Sequence, residues 1–369
     1  MANILTYLDY NATAPLREEA RAAAVSALGI TGNPSSVHRF GRAARRLVEY
    51  AREQVAGLVG AVPSQVVFTS GGTEANNLAL RGSDRRAILV SAVEHDSVLQ
   101  EAPEAIRIPV DSEGIVDPGV LDSLLGETKT PALVSVMLAN NETGVIQPVE
   151  EICRIAHHHG ALFHCDAVQG AGKLAIDFAG LGADMMTLSA HKIGGLKGAG
   201  ALIVADPIDL AALNVGGGQE RGRRGGTENV AGIAGFGAAA QAAGRLDEIE
   251  RIAGHCERLE REALARIPSA RIFGAGAPRL ANTVNIGIPG RSAETQIMSL
   301  DLTGIAVSAG AACSSGKVAP SHVLRAMGVG EDWAACAIRV SLGRETSNAD
   351  IARFLDAWAA LASPRMSAA

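Results

Sequence analysis

The fold class is indicated most directly by the segment Met185-Met186-Thr187-Leu188-Ser189-Ala190-His191-Lys192-Ile193-Gly194-Gly195. Its first five residues form an apolar run typical of a buried strand, and a lysine follows where that strand ends. The glycines after the lysine would let a ligand approach the backbone closely. A lysine in this place suits a Schiff-base role, because desolvation lowers the pKa of the amine and exposes its lone pair. Most lone lysines are solvated surface charges, so the interpretation depends on the neighbouring segments.

Five further apolar runs have the same strand character and alternate with Ala-rich helical stretches. They are Val66–Ser70, Ala87–Ser91, Ala132–Leu138, Ala161–Cys165 and Gly200–Val204. Six near-continuous apolar strands separated by helices predict an α/β fold whose mostly parallel central sheet has helices on both faces. In such a sheet, ligands bind where strands end and the connecting turns begin.

The pattern changes from about residue 238. Ala238–Arg266 is predicted to be one long charged helix, and residues 349 to about 361 form the last helix. Between them lie three short candidate strands, Thr283–Ile288, Ile305–Ser308 and Ile338–Leu342. We therefore predict a large domain over residues 16–250 and a smaller α+β C-terminal domain formed by residues 1–15 and 251–369.

Composition, charge and cysteine count exclude several classes of protein. The 369 residues are 47% hydrophobic and 20% charged, which excludes disordered, collagen-like and coiled-coil chains. The apolar runs are too short for a membrane span, and the first 20 residues lack the plan of a signal peptide. A net charge of −6 without a Lys/Arg tract argues against nucleic acid or an anionic membrane as the main partner. Five cysteines do not make a disulfide framework in a chain this long, so we expect a cytoplasmic location.

Two other strand ends carry residues that complement the lysine. The first strand runs into Ser70-Gly71-Gly72-Thr73, where a helix start would bind phosphate through backbone N–H groups, although a simple N-cap explains the pattern equally well. Asp166 ends another strand, where a buried carboxylate needs a cation, a ligand or a capping role. Together these features supply what pyridoxal phosphate needs, namely a phosphate holder, a carboxylate for the pyridinium nitrogen and an amine for the aldehyde.

About ten motifs in the same order make the chain resemble the NifS/IscS-type cysteine desulfurases, which are class V, fold-type I pyridoxal-phosphate-dependent enzymes. The resemblance runs nearly end to end and rests on Tyr7–Thr13, Gly32–His38, Ser70–Asn77, Glu94-His95, Asn140–Val145, Asp166–Gln169, Ser189–Lys192, Gln219–Asn229, Ala312–Ser315 and Ile338–Arg344. It implies a homodimer that converts L-cysteine to L-alanine and holds the sulfur as a persulfide.

The resemblance also implies a role for each cofactor-binding residue. Lys192 would bind the aldehyde and move a proton, Asp166 would pair with the ring nitrogen, and His95 would stack on the ring and shuttle protons. Without the resemblance, His95 would be interpreted as a capping or core histidine. Thr227 follows the glycine-rich run Gly216–Gly226, which we expect to be an exposed arm, and would reach the phosphate in the other subunit. Further cofactor contacts would come from Gly72, Thr73, Asn141, Gln169, Ser189 and His191.

Arg339 is the predicted binder of the substrate carboxylate, and the resemblance implies that Asn33 assists it. Period-2 alternation along its strand places Arg339 on the face opposite its apolar neighbours. The guanidinium suits bidentate binding of a carboxylate. A surface ion pair with Glu345 or Asp350 is the alternative.

Cys313 is the implied nucleophile, because it lies in a run of small residues and glycines typical of a mobile loop. The resemblance implies that its persulfide sulfur passes to an iron–sulfur scaffold or another sulfur-carrier protein. We predict no resident metal site, only a transient iron–sulfur contact through Cys313. The run His157–His159 does not change this, because consecutive helical residues point about 100° apart and cannot converge on one ion.

Three other functions stay open on the sequence alone. A selenocysteine lyase would share nearly every residue named above. A class V aminotransferase would need no cysteine at position 313. A non-catalytic protein with this fold would not need Lys192, Asp166 and Cys313, all of which are present.

Overall fold

A computed structural model of the chain describes residues 5–243, 247–309 and 320–362. The strands in these ranges are β1 (Thr6–Tyr7), β2 (Val66–Thr69), β3 (Ala87–Ser91), β4 (Ile106–Ile108), β5 (Ala132–Ser135), β6 (Leu162–Asp166), β7 (Met185–Ser189), β8 (Gly200–Val204), β9 (Arg271–Phe273), β10 (Thr283–Gly287), β11 (Ile305–Ala306) and β12 (Ala337–Ser341). The α-helices are α1 (Glu18–Leu28), α2 (Arg39–Leu58), α3 (Gly72–Gly82), α4 (Asp96–Leu99), α5 (Pro118–Glu127), α6 (Val149–His158), α7 (Phe178–Leu181), α8 (Val230–Ala243), α9 (Asp247–Arg266), α10 (Ala293–Leu302), α11 (His322–Ala326), α12 (Glu331–Ala334) and α13 (Asn348–Ala362).

The central sheet has the strand order β2-β8-β7-β6-β5-β3-β4. Strands β7, β6, β5, β3 and β4 run parallel, whereas β8 is antiparallel to both β7 and β2. The predicted mostly parallel sheet is therefore confirmed, and its parallel strands end at one edge. The prediction missed β4, because Ile106 and Arg107 of this edge strand are exposed and give no continuous apolar run.

Helices cover both faces of the sheet, so successive side chains along each strand pack alternately into two buried layers. In β2, Phe68 packs with Phe236 of α8, their ring centroids 6.4 Å apart, while the neighbouring Val67 packs in the other layer with Leu78 of α3. Burial of both strand faces explains why the sequence of each strand reads as a near-continuous apolar run. Among the described helices, none is long and apolar enough to cross a membrane.

A separate core brings the two ends of the chain together. Strand β1 pairs in parallel with β11, and β12-β10-β9 form an antiparallel sheet. Leu8 is fully buried in this core beside Phe354 and Trp358, whose rings stack 6.0 Å apart. Residues near the start of the chain therefore pack with the C-terminal third.

The segment predicted as one helix over Ala238–Arg266 is helical in both of its described parts, which belong to α8 and α9. The residues between them, 244–246, lie outside the described part of the chain. Helix α8 begins at Val230 in a Gly- and Ala-rich stretch whose glycines allow close packing. A Cβ on Gly235 would lie 2.4 Å from the Leu196 side chain, and one on Gly237 would lie 2.7 Å from the Ala51 side chain. These glycines weaken the helix signal in the sequence while making the tight packing possible.

A buried ion pair fixes the glycine-rich segment after β8. The guanidinium of Arg52 donates to both carboxylate oxygens of Glu220 at 2.7 and 2.8 Å, and Glu220 also accepts the Phe68 N–H of β2 at 2.9 Å. Glu220 and Arg221 both adopt left-handed backbone conformations, with φ of 47° and 58°, which cost about 1 kcal/mol each. The segment is mostly exposed, as predicted, but Glu220 anchors it to the sheet.

Replacing Glu220 by alanine should lower the free energy of unfolding by about 3–5 kcal/mol, because buried Arg52 loses its buried carboxylate partner and keeps only the partly exposed Glu49. Urea unfolding measures the effect. The matched control is Glu49→Ala, since Glu49 also contacts Arg52 but is 46% exposed, and its loss should cost less than about 1 kcal/mol. Equal costs for the two variants would contradict the assignment of Glu220 as the anchor.

Candidate active site

A cavity of about 560 Å³ lies at the edge of the sheet where β6 and β7 end. Ten of the predicted site residues line it, namely Gly72, Thr73, His95, Asn141, Asp166, Gln169, Ser189, His191, Lys192 and Arg339. Asn33 and Thr227 are exposed and lie outside this lining. Cys313 belongs to the residues outside the described part of the chain.

One end of the cavity is built to receive an anion. Helix α3 begins at Gly72 directly after β2, so the free N–H groups of its first turn lie at the cavity wall. A Cβ on Gly72 would lie 3.1 Å from Val168 Cγ2 and 3.6 Å from Ser189 Cβ, so glycine keeps this wall open. Within the described ranges, Ser189 Oγ is buried without a hydrogen-bond partner. An unpaired buried hydroxyl next to a helix start fits a phosphate group.

Asp166 is fixed by two donors at the end of β6. Its Oδ1 accepts the Val168 N–H at 3.0 Å, and its Oδ2 accepts from Asn76 Nδ2 at 2.8 Å. Asn76 comes from α3 and also donates to Ser97 Oγ at 2.8 Å. The amide of Asn76 therefore connects the carboxylate of Asp166 to the turn that carries His95.

The contacts of His95 determine which ring nitrogen carries the hydrogen. Its Nδ1 lies 3.0 Å from the Ser97 N–H and 2.9 Å from Ser97 Oγ. Because a backbone N–H can only donate, Nδ1 is the acceptor and the hydrogen of the neutral ring lies on Nε2. His95 caps α4, as the interpretation without the family resemblance expected, and it also lines the cavity.

The amine of Lys192 is desolvated next to a second cation. Lys192 Nζ donates to the backbone oxygens of Asn11 and Ala12. Burial, and then the nearby charge of Arg339, lower the pKa of Lys192 to about 8. The predicted lowering of this pKa agrees with the structure, and it makes the neutral, nucleophilic amine accessible near neutral pH.

The histidine before this lysine is uncharged at neutral pH. Burial, followed by the charges of Lys192 and Lys197, lowers the pKa of His191 to about 4. Its Nδ1 lies 3.2 Å from Thr13 Oγ1. His191 can therefore offer a hydrogen bond in the cavity without adding a third positive charge.

Arg339 lies on β12 with its guanidinium at the cavity. It donates to Asp9 Oδ1 at 2.7 Å and to the backbone oxygen of Asn141 at 3.0 Å. Among the described residues, its buried Nε has no partner. The alternative partners Glu345 and Asp350 do not pair with it, because Glu345 contacts Arg344, while Asp350 accepts the Ser347 N–H and contacts Arg353. The N–H groups of Arg339 that these two contacts leave over, Nε–H among them, are available for a carboxylate.

The structure does not bring Asn33 to Arg339 within one chain. Asn33 Oδ1 accepts the Ser35 N–H at 2.9 Å, which closes a local turn at the surface. This turn satisfies the side chain locally and leaves it outside the cavity lining.

Several residues that hold the site were not singled out from the sequence. Asn11 and Asn76 lie inside quoted motifs, yet no chemical reason pointed to them because their partners come from distant segments. His322 lines the cavity and contacts the backbone oxygen of Glu94 at 2.9 Å. Glu94 is fully buried, and burial followed by the charge of Asp166 raises its pKa well above the ordinary value. The only sequence signal for Glu94 is that this acidic residue directly precedes the predicted site residue His95.

No three His, Cys, Asp or Glu side chains come close enough to bind a metal ion in the described ranges. His157 contacts Asp184 and His159 contacts Asp122, each at 2.8 Å. These two histidines therefore bind different carboxylates.

Comparisons with known proteins agree with the geometry of this cavity. Residues 6–354 match the family model of class V aminotransferases. The chain is 42% identical to cysteine desulfurase IscS of Dictyoglomus turgidum, over 95% of this chain and 92% of the relative. It is 45% identical to a cysteine desulfurase of Cereibacter sphaeroides, over 95% and 94%.

Solved structures agree with these sequence relatives. A NifS-like protein from Rickettsia africae superposes with a TM-score of 0.90 at 38% identity, covering 96% of this chain and 98% of that one. SspA in complex with cysteine superposes with a TM-score of 0.80 at 29% identity, covering 93% and 100%.

In cofactor-free protein, the amine of Lys192 should react with trinitrobenzenesulfonate at a rate that rises with pH, is half-maximal near pH 8 and then levels off. The sign follows from the lowered pKa, because only the unprotonated amine reacts. Mass spectrometry of the peptide that contains Lys192 gives the rate. In Arg339→Gln the half-maximal pH should rise, since one neighbouring cation is removed. A half-maximal pH near the ordinary value of 10.5 in the native protein would contradict the assignment.

Proposed function

The chain belongs to the class V aminotransferase family, among its cysteine desulfurases, and from that premise we propose that it converts L-cysteine to L-alanine and transfers the sulfur to Cys313. The net reaction takes Cys313–SH and L-cysteine to the persulfide Cys313–S–SH and L-alanine. Atoms and electrons balance without an added oxidant or reductant. The fold is the predicted fold-type I architecture, an α/β protein with a mostly parallel sheet.

The observation that carries the proposal is that three complementary groups share one cavity. The first turn of α3 and Ser189 form the anion-binding end, Asp166 supplies a fixed carboxylate, and Lys192 supplies an amine with a lowered pKa. These groups fit the phosphate, ring nitrogen and aldehyde of pyridoxal phosphate, in that order. When bound there, pyridoxal phosphate would supply an electron sink that stabilises negative charge at the substrate Cα.

The side chains around this pocket have separate roles in the proposed reaction. Arg339 binds the substrate carboxylate through its unpartnered donor, and Lys192 Nζ removes the proton from the substrate Cα. His95 lines the cavity and carries its hydrogen on Nε2, so we propose that it stacks on the cofactor ring and shuttles protons alongside Lys192. Thr73, His191 and the N–H groups of α3 hold the phosphate, while Asn141 and Gln169 contact polar oxygens beside the ring.

Cys313 carries the step that defines the enzyme class. Its thiolate attacks the sulfur of the substrate, an S–S bond forms, and the bond between that sulfur and Cβ breaks. The electron pair of the broken bond remains on Cβ, which gains a proton and becomes the methyl group of alanine. A thiolate suits this step because it is a soft, strong nucleophile.

The proposal extends to partners and location. We propose a homodimer in which Thr227, on the exposed segment anchored by Glu220, reaches the phosphate of the other subunit. We propose further that residues 1–15 and 251–369 act as the small domain that carries Cys313, opposite a large domain of residues 16–250. The acceptor of the sulfur is an iron–sulfur scaffold or a sulfur-carrier protein. A cytoplasmic location suits the reaction, because a persulfide-forming thiol needs a reducing compartment.

Cys313→Ser should bind pyridoxal phosphate and L-cysteine and change the absorption of the bound cofactor when L-cysteine is added, yet yield almost no alanine or sulfide. The reason is that an alcohol has a far higher pKa and low affinity for sulfur. The assay measures alanine and sulfide together, with a reductant present. Cys256→Ser is the control and should retain activity, because Cys256 is buried in the C-terminal core.

Mass spectrometry of the native protein after L-cysteine treatment should find one extra sulfur on the Cys313 peptide and none on the Cys256 or Cys336 peptides. Near-normal desulfuration by Cys313→Ser would instead indicate a thiol-independent lyase and would overturn the proposed function.

Mixing Lys192→Ala subunits with Thr227→Ala subunits should restore activity that neither variant has alone. A mixed dimer holds one site with native Lys192 and the native Thr227 of the other subunit, so free exchange should give about a quarter of native activity. Activity is measured before and after subunit exchange. A mixture no more active than the sum of its parts would show that Thr227 acts within its own subunit or not at all.

A further inference from the structure

Lys173 is an inward-facing amine without a role in the proposed reaction. Its Nζ donates to Gln169 Oε1 at 3.0 Å and to Asn11 Oδ1 at 2.9 Å. Both partners are buried, with Asn11 1% and Gln169 5% exposed. Burial, and then the charges of Lys192 and Arg339, hold the pKa of Lys173 well below its ordinary value. Keeping such an amine in this position has a desolvation cost, so its contacts call for an explanation.

The contacts of Gln169 fix the orientation of its amide. Its Nε2 lies 3.0 Å from the backbone oxygen of Asn11, and a carbonyl oxygen can only accept. The amide nitrogen therefore faces Asn11, and the amide oxygen faces Lys173. Because Gln169 also lines the cavity, the second hydrogen of Nε2 is left to serve as a donor there. A reversed amide would lose both contacts.

We propose that Lys173 is a positioning residue that holds Gln169 Oε1, so that Gln169 presents an N–H donor to an anionic ring oxygen of pyridoxal phosphate. The inference rests on the proposed function, since it concerns the same ligand. It differs from a direct role, because Lys173 acts only through Gln169. Lys173 lies outside the lining of the cavity, which fits an indirect role.

The test is a double-mutant cycle read out as affinity for pyridoxal phosphate, measured by absorbance titration of the cofactor-free, full-length protein. Lys173→Met should weaken binding about tenfold or more, because a hydrogen bond to a charged oxygen is lost. It should also shift the absorption maximum of the bound cofactor. Gln169→Ala should show the same loss, and in the Gln169→Ala background Lys173→Met should add nothing.

The double-mutant cycle has two control variants. Lys129→Met removes an exposed lysine and should leave the affinity unchanged. Lys173→Arg keeps a donor and should restore most of the affinity and the native absorption maximum. Additive losses in the cycle, or native affinity in Lys173→Met, would overturn the positioning role.

Gln169→Glu decides the question if Lys173→Met does not fold. A glutamate keeps an acceptor for Lys173 but has no N–H for the ligand, so the affinity should fall at least as far as in Gln169→Ala. Native affinity in Gln169→Glu would overturn the proposal. A native protein that binds no pyridoxal phosphate would overturn the proposed function itself, which is a different result from normal binding that is insensitive to Lys173.

Discussion

The site depends on one buried asparagine, Asn11, which joins the two cores of the molecule. Its backbone oxygen accepts hydrogen bonds from Lys192 and Gln169, and its side-chain oxygen accepts one from Lys173. The side-chain oxygen also accepts a hydrogen bond from Asn282 of the C-terminal core. The backbone and side-chain N–H groups of Asn11 donate to Ser341, to Thr283 and to the backbone oxygen of Asn141 in the loop after β5. A polar group buried this deeply must be satisfied, so the position of Asn11 fixes how the N-terminal segment crosses the sheet edge.

Much of the fold and of the cavity lining could be predicted, because the sequence presents them locally. Strand β7 has the predicted bounds. Asp166 and Lys192 could be predicted as site residues because each lies at or just after the end of a buried strand. The pairing of side chains could not be predicted in the same way. The link from Asp166 through Asn76 to Ser97 joins β6, α3 and α4, which meet only in the folded chain. Sequence spacing contains no signal for such a link.

The elements that the sequence did not predict were missed for physical reasons. The edge strand β4 exposes two of its three residues, so it lacks the apolar run that identified the others. Helix α8 contains glycines that weaken a helix signal, and only the proximity of α2 and of Leu196 explains why they are there. Asn33 and Thr227 are both exposed and outside the cavity of their own chain. Motif resemblance alone does not show which subunit a side chain serves.

The ion pair between Asp9 and Arg339 has a consequence for turnover. Substrate and product of the proposed reaction carry the same carboxylate, so an arginine with no other partner would retain L-alanine as firmly as it captures L-cysteine. Asp9, 2.7 Å from the guanidinium, is a permanent internal competitor for that charge. Carboxylate binding then adds a second anion to a guanidinium that already has one, with a smaller net gain than a new ion pair would give. We therefore expect L-alanine to be released more readily, while Arg339 stays paired with Asp9 in the emptied site.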